Sequence, residues 1–195
     1  MSDLPRRGRG LSVLLFVITG GLGIISSTQT WLQVKRVDGG EDILVAGAQA
    51  LPLLAPLSLT VLALAGAIAL VGRVPRTILA ALAVAIGAVL GAMTFSVAAQ
   101  HPLSAVGTAV TEVTGLAGLE AIADVVAGIS GTAWPWITFV GWIALVGAGA
   151  FAAATGHKWK TGGRRFQANA AQPHDGPIDA VESWDDLSHG TDPTR

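Results

Sequence analysis

The stretch from Arg76 to Gln100, RTILAALAVAIGAVLGAMTFSVAAQ, decides the fold class. After Arg76 the next formally charged residue is Glu112, and a charge-free run of this length exceeds the ~20 residues that carry a helix across hydrocarbon. Backbone facing lipid must satisfy its N–H and C=O groups within its own segment, so helix is the reading for a run this apolar. Composition agrees: 51% of the 195 residues are hydrophobic and only 13% are charged, well away from the soluble average.

Three more gaps share this character, from Arg9 to Lys35, from Asp42 to Arg73 and from Asp124 to Lys158. The chain is therefore predicted to be an all-α integral membrane protein with four transmembrane helices, at 11–27, 51–71, 77–99 and 134–155. Around them lie an N-terminal flank (1–10), a first outer loop (28–50), an inner loop (72–76), an outer helical loop (100–133) and a tail (156–195). The basic start MSDLPRRGRG followed by an apolar run also resembles a signal peptide. A retained helix is the better reading, because SSTQT after the run has no A-x-A cleavage pattern.

Lys and Arg in the short flanks set the expected orientation. Arg6, Arg7, Arg9, Arg73, Arg76, Lys158, Lys160, Arg164 and Arg165 fall on one side, against Lys35 and Arg36 on the other. The positive-inside rule then places both termini in the cytoplasm, in a multi-pass protein of the cell membrane. Trp134 and Trp136 at one end of the last span and Trp159 at the other match an aromatic belt.

In the first outer loop, VKRV ahead of paired glycines predicts a short extended segment and a turn. Thr30 and Trp31 are its candidate functional residues; Trp31 reads first as an interfacial anchor and, alternatively, as a ligand-stacking group. In the second outer loop Val106, Val110, Val113, Leu116, Leu119, Ile122, Val126 and Ile129 recur at spacings of three and four, the stripe of an amphipathic helix. Gly115 and Gly118 divide it. Capping of the bundle is the expected role, with a small-ligand lid as the alternative.

Chemistry is scarce. No Asp, Glu, Lys, Arg or His lies at membrane depth, where ion-coupled transporters generally keep such groups. The polar groups there, Thr19, Ser58, Thr60, Thr94, Ser96 and Thr138, more often bond a neighbouring helix or their own backbone than a substrate. Gly87 and Gly91, four apart in GAVLG, read as internal helix packing. The absence of cysteine excludes disulfides, thiolate metal sites and thiol catalysis. His101, His157, His174 and His189 lack metal-ligand spacing, and TGGRRF lacks the GK[ST] ending of a phosphate loop. The expectation is a non-enzyme with no metal, no cofactor and no nucleic-acid partner.

The tail is polar and acidic, with six carboxylates against Arg195 alone between Phe166 and Arg195. A segment of this composition does not bury enough apolar surface to fold alone, so disorder is expected. Within ESWDDLSHGTDPTR, Trp184 lies three residues from both Val181 and Leu187, so a short helix would present all three on one face. That suits docking in a partner's groove. The alternative is a solvated tail whose tryptophan lies back on the membrane.

Four spans, Thr30-Trp31, the WPW of Trp134 to Trp136, the basic flank after the last span, and W-x-x-L-x-x-G-x-D-P-T at the end together resemble the tryptophan-biosynthesis-associated membrane protein family of actinobacteria. The resemblance maps the family's tail pattern onto Trp184, Leu187, Gly190, Asp192, Pro193 and Thr194, the candidate partner-binding residues; Thr191 stands where the family tends to have Glu. It implies an association with tryptophan biosynthesis and no assigned activity. Two functions are carried forward. The first is a scaffold whose tail binds a cytoplasmic tryptophan-pathway protein. The second is a carrier or export accessory for tryptophan or a related aromatic compound.

Overall fold

The computed structural model describes residues 4–155. Four long helices form a bundle, and a small α/β cap covers one end of it. The first helix, α1 (Leu4–Thr28), starts ahead of the apolar run because Pro5 sits in its first turn, where no intrahelical N–H is required. Its last carbonyls are used locally: Ser27 and Thr28 donate their hydroxyls back to Ile24 O and Ile25 O at 2.7 and 2.8 Å, and the Gln29 amide donates to Ser26 O.

The chain then leaves the bundle to build β1 (Thr30–Arg36), a turn, β2 (Ile43–Ala46) and a single helical turn, α2 (Gly47–Ala50). This fuller hairpin occupies the start of the second charge-free gap, so the next bundle helix, α3 (Leu54–Leu70), begins at Leu54 and not Leu51. Pro56 lies in its first turn and Pro52 stays outside it. With 17 residues α3 spans about 25 Å.

A two-residue connection leads to α4 (Arg73–Gln100), which starts four residues before the expected Thr77. Arg76 is 1% exposed here, folded against the connection, with its Nη2 donating to Val71 O at 2.8 Å. Val71 caps the C-terminal end of α3, where the helix dipole favours a cation. At its other end α4 stops at His101, a non-glycine residue in the left-handed region with φ 45°.

The second cap segment contains α5 (Leu103–Thr114), α6 (Leu119–Val125) and β3 (Val126–Gly131), and the chain returns to the bundle as α7 (Trp134–Thr155). The division expected at Gly115 and Gly118 is present, and the helical reading of Val126 and Ile129 is corrected, since both lie in β3. Gly115 at φ 73° and Gly118 at φ 101° end one helix and start another at a 74° bend, so the helical spacing loses its common face. Val106, Val110 and Ile122 are buried, whereas Val113, Leu116 and Leu119 are exposed. Beyond Val125 the chain pairs with β1: the antiparallel order is β2-β1-β3, with Val34 between Ile43 and Ile129. A non-local partner overrides the local helical pattern there.

In the bundle α1 packs against α3 and α7, and α4 packs against α7 and α3, a closed ring of antiparallel neighbours. Small residues set the approach. A Cβ on Gly87 would lie 3.0 Å from Val146 Cγ2, and Gly91 faces Trp142 Cβ, so GAVLG packs inside the bundle. Phe16, Leu54, Val61, Ile68, Leu90, Trp142 and Leu145 fill the interior. Three helices, α1, α4 and α7, are long and apolar enough to cross a membrane, with a fourth candidate if the bent pair α5 and α6 counts as one span.

Packing this close is sensitive to an added side chain. A Cβ on Gly149 would meet Val84 Cγ2 at 2.7 Å, while one on Gly147 has nothing within 4 Å. Gly149→Leu is expected to cost about 1–3 kcal/mol, and Gly147→Leu to leave stability unchanged or slightly raised. Thermal unfolding of both variants in detergent checks this.

Candidate functional site

The place where the cap meets the bundle is built around Trp31. The β1 pattern TWLQVKR places Trp31, next to the bulge between Thr30 and Leu32, over the ends of α1 and α7. Its side chain is 0% exposed. The expectation of an interfacial anchor is thereby corrected: the indole is a core residue of the cap, covered by α2. A Cβ on Gly47 would come within 2.7 Å of Trp31 Nε1 and 2.6 Å of Ser26 O, so only a glycine there lets α2 close over the ring.

Four groups form a directed hydrogen-bond chain beneath it. Thr138 donates its one hydroxyl hydrogen to Trp134 O at 2.8 Å, so Ser26 is left as the donor to Thr138 Oγ1. Ser26 Oγ in turn accepts from Trp31 Nε1 at 2.9 Å, and an indole nitrogen can only donate. The order is Trp31 to Ser26 to Thr138 to the Trp134 carbonyl. Ser26, Trp31 and Thr138 are all at most 1% exposed. One chain thus ties β1 to α1 and α7, and in a buried setting it leaves none of its hydrogens idle.

Backbone bonds reinforce the same joint. Thr132 donates its amide to Trp31 O at 2.9 Å and its hydroxyl to Thr30 O at 2.7 Å, and its hydroxyl oxygen accepts from the Trp134 amide. The half-buried Thr30 therefore takes part through its carbonyl, and Gly47 N donates to Gln29 O at 2.9 Å. On the far side, His101 closes against β3, where a Cβ on Gly131 would lie 2.5 Å from His101 Nε2. Gln49 links α2 outward, accepting from the Ala46 amide and donating to Glu112 of α5. Ser26, Gly47, Thr132 and Gly131 were not anticipated from the sequence; the small, hydroxyl-rich SST after the first apolar run is the signal that could have marked Ser26.

Other candidates stand apart. Trp134 is partly buried on the core, and Trp136 is 46% exposed, edge-on to Phe95 and Phe139. Trp184, Leu187, Gly190, Asp192, Pro193 and Thr194 lie outside the described residues. Among the described residues no group of three or more His, Cys, Asp or Glu could hold a metal ion. At the tip of the β1–β2 hairpin, the Gly40 amide donates to Asp38 Oδ1 and Arg36 lies against Oδ2, which together hold the Asp38 carboxyl below its ordinary 3.8.

The described residues thus define a mostly helical multi-pass membrane protein whose bundle carries an α/β cap latched by a buried tryptophan. Residues 13–194 match the family model of the tryptophan-associated transmembrane proteins, and the chain belongs to that family. No curated protein and no solved structure matches it.

Two outcomes follow from this geometry. Trp31→Phe keeps the apolar bulk but removes the first donor of the chain, and is expected to cost about 1–3 kcal/mol; Ser26→Ala, which strands the buried indole N–H, is expected to cost as much. Unfolding of each variant in detergent or nanodiscs gives the comparison. For Asp38, a lowered folded pKa means that its contribution is fully present above 3.8 and is lost as pH falls through the lowered value. The Gly40 amide resonance should accordingly titrate below 3.8, and in Asp38→Asn that titration should disappear.

Proposed function

We propose that the protein is a non-enzymatic four-span scaffold of the cell membrane, with both termini in the cytoplasm and a C-terminal tail that docks a soluble tryptophan-pathway partner. The observation that carries this reading is the extent of the family match, which runs through Thr194 and so takes in Trp184, Leu187, Gly190, Asp192 and Pro193, well past the last bundle helix. An aromatic residue in an acidic segment is suited to act as the anchor of a peptide in a groove.

The fourth span in this reading is α3. It lies alongside α1 and α4 within the ring, so it shares their depth, and at about 25 Å it is only slightly shorter than the hydrocarbon, within the range a bilayer accommodates by thinning. In contrast, α5 packs on α2, β2 and α6, as part of the cap. With α3 as a span, the count of Lys and Arg in the flanking sequence, with only Lys35 and Arg36 on the cap side, favours a cap that faces outside. Tyr is absent and Cys is absent, so single cysteines report topology cleanly.

The carrier reading requires a polar path between the helices. Large side chains, Phe16, Leu90, Trp142 and Leu145 among them, occupy the bundle interior, and the apolar runs of the four helices hold no ionisable group, which favours the scaffold reading.

Crosslinking pull-downs from native membranes test the proposal. A soluble tryptophan-pathway protein should be recovered with the wild type, reduced at least about tenfold with Trp184→Ala, a loss of roughly 1.4 kcal/mol, and absent with a chain ending at Phe166. Equal recovery from all three removes the docking role. In parallel, Gly39→Cys should react with an impermeant maleimide from outside, and Gly72→Cys only after permeabilisation.

A further inference from the structure

Several hydroxyls of the helices are satisfied on their own backbone, and Thr94 is not. Thr19, Ser58, Thr138 and Thr155 each donate to the carbonyl four residues earlier, the usual way for a Ser or Thr in an apolar helix to satisfy itself. Thr94 is 0% exposed and its Oγ1 has no hydrogen-bond partner among the described residues. The same holds for the indole Nε1 of Trp142, a side chain 1% exposed. An unpaired polar group costs about 1–3 kcal/mol in a buried setting, so two together call for a partner.

The two belong to one neighbourhood. Gly91 faces Trp142 Cβ, and Phe95 stacks on Phe139, so α4 and α7 run past each other with Thr94 roughly one turn, about 5 Å along the axis, from the level of Trp142. Helical side chains lean toward their own N-terminus, which for α7 carries the Trp142 ring toward the cap and the level of Thr94. A Cβ on Gly23 would lie 2.8 Å from Trp142 Cη2, so the indole reaches across the bundle toward α1. Trp142 Nε1 can only donate, and it has no acceptor among the described residues. A separate apolar groove of about 290 Å³ between α4 and α7, lined by Gly87, Gly91, Phe139 and Trp142 and not by Thr94, runs beside the ring.

We propose that Trp142 and Thr94 frame a buried site for one small hydrogen-bond acceptor, either a water molecule or a compact polar solute. Trp142 Nε1 donates to it, and the Thr94 hydroxyl, which both donates and accepts, fixes it from α4. The site uses neither the Trp31 chain nor the tail. It would supply a polar point inside the bundle on the cap side, bridging the two helices that pack most closely.

Nitrogen-15 labelling of the tryptophan indoles in nanodisc-embedded protein tests this, with Trp142→Phe used to assign the Trp142 signal. The wild type should show a cross-peak from the Trp142 indole proton to its occupant. At the water frequency the cross-peak identifies bound water; at a carbon-bound proton frequency it identifies a co-purified solute, which native mass spectrometry then weighs. Thr94→Ser should keep the cross-peak and Thr94→Val should lose it, with a melting temperature at least about 2 °C lower. A wild-type protein without any such cross-peak overturns the proposal. So does a Thr94→Val protein as stable as the wild type, since removing an idle hydroxyl from a dry site costs nothing.

Discussion

The structure depends on one chain of hydrogen bonds, from the Trp31 indole through Ser26 and Thr138 to the Trp134 carbonyl. Buried apolar side chains of the cap and the bundle, Trp31, Val34 and Val106 with Leu54, Leu90 and Trp142 among them, form one continuous core, and the polar groups inside it need partners of their own. Attachment must come from packing and from polar groups that lose their partners if the joint opens. Trp31 provides both: a large buried ring, and a donor with no second way of being satisfied. Gly47 fits the same logic, since the turn that covers the ring is possible only without a side chain.

That joint explains why two cap segments distant in sequence make one sheet. β3 reaches β1 from the connection after α4, with Thr132 bonded to Thr30 and Trp31 immediately before α7 starts. The end of β3, the latch and the first turn of α7 therefore lie within a few residues of one another. Moving the sheet would move the start of α7, and the buried chain makes such a movement costly. The other end of the bundle is simpler. There a short connection joins α3 to α4, and Arg76 supplies a cation to the last carbonyls of α3.

Much of this was legible in the sequence, for identifiable reasons. Charge-free runs mark helices because lipid leaves the backbone no alternative, and that constraint needs no knowledge of tertiary structure. Gly87 and Gly91 were legible as packing residues on the same ground. The cap was less so. Val126 and Ile129 continue a helical spacing and yet form a strand, because β1 is a partner almost a hundred positions away that no local pattern reveals. Trp31 carried the opposite ambiguity: an aromatic residue just past an apolar run fits a membrane interface as well as a buried core, and only the arrival of α2 over the ring decides between them. The helix α3 begins later than expected because the hairpin and the helix share one uncharged run, so charge alone could not divide them.

The distribution of chemistry constrains what kind of protein this is. The bundle and the cap use their polar side chains on one another: hydroxyls on helix carbonyls, the indole of Trp31 on Ser26, Gln49 on Glu112, Arg36 on Asp38. Groups committed to structure in this way are poorly placed to bind and release a substrate in a cycle, since each binding event would break a bond that holds the cap or a helix. A recognition function is better carried by a segment outside that network, where an anchor can be gained or lost without cost to the fold. Under the proposed function, recognition falls to the acidic sequence around Trp184, through which the family match extends.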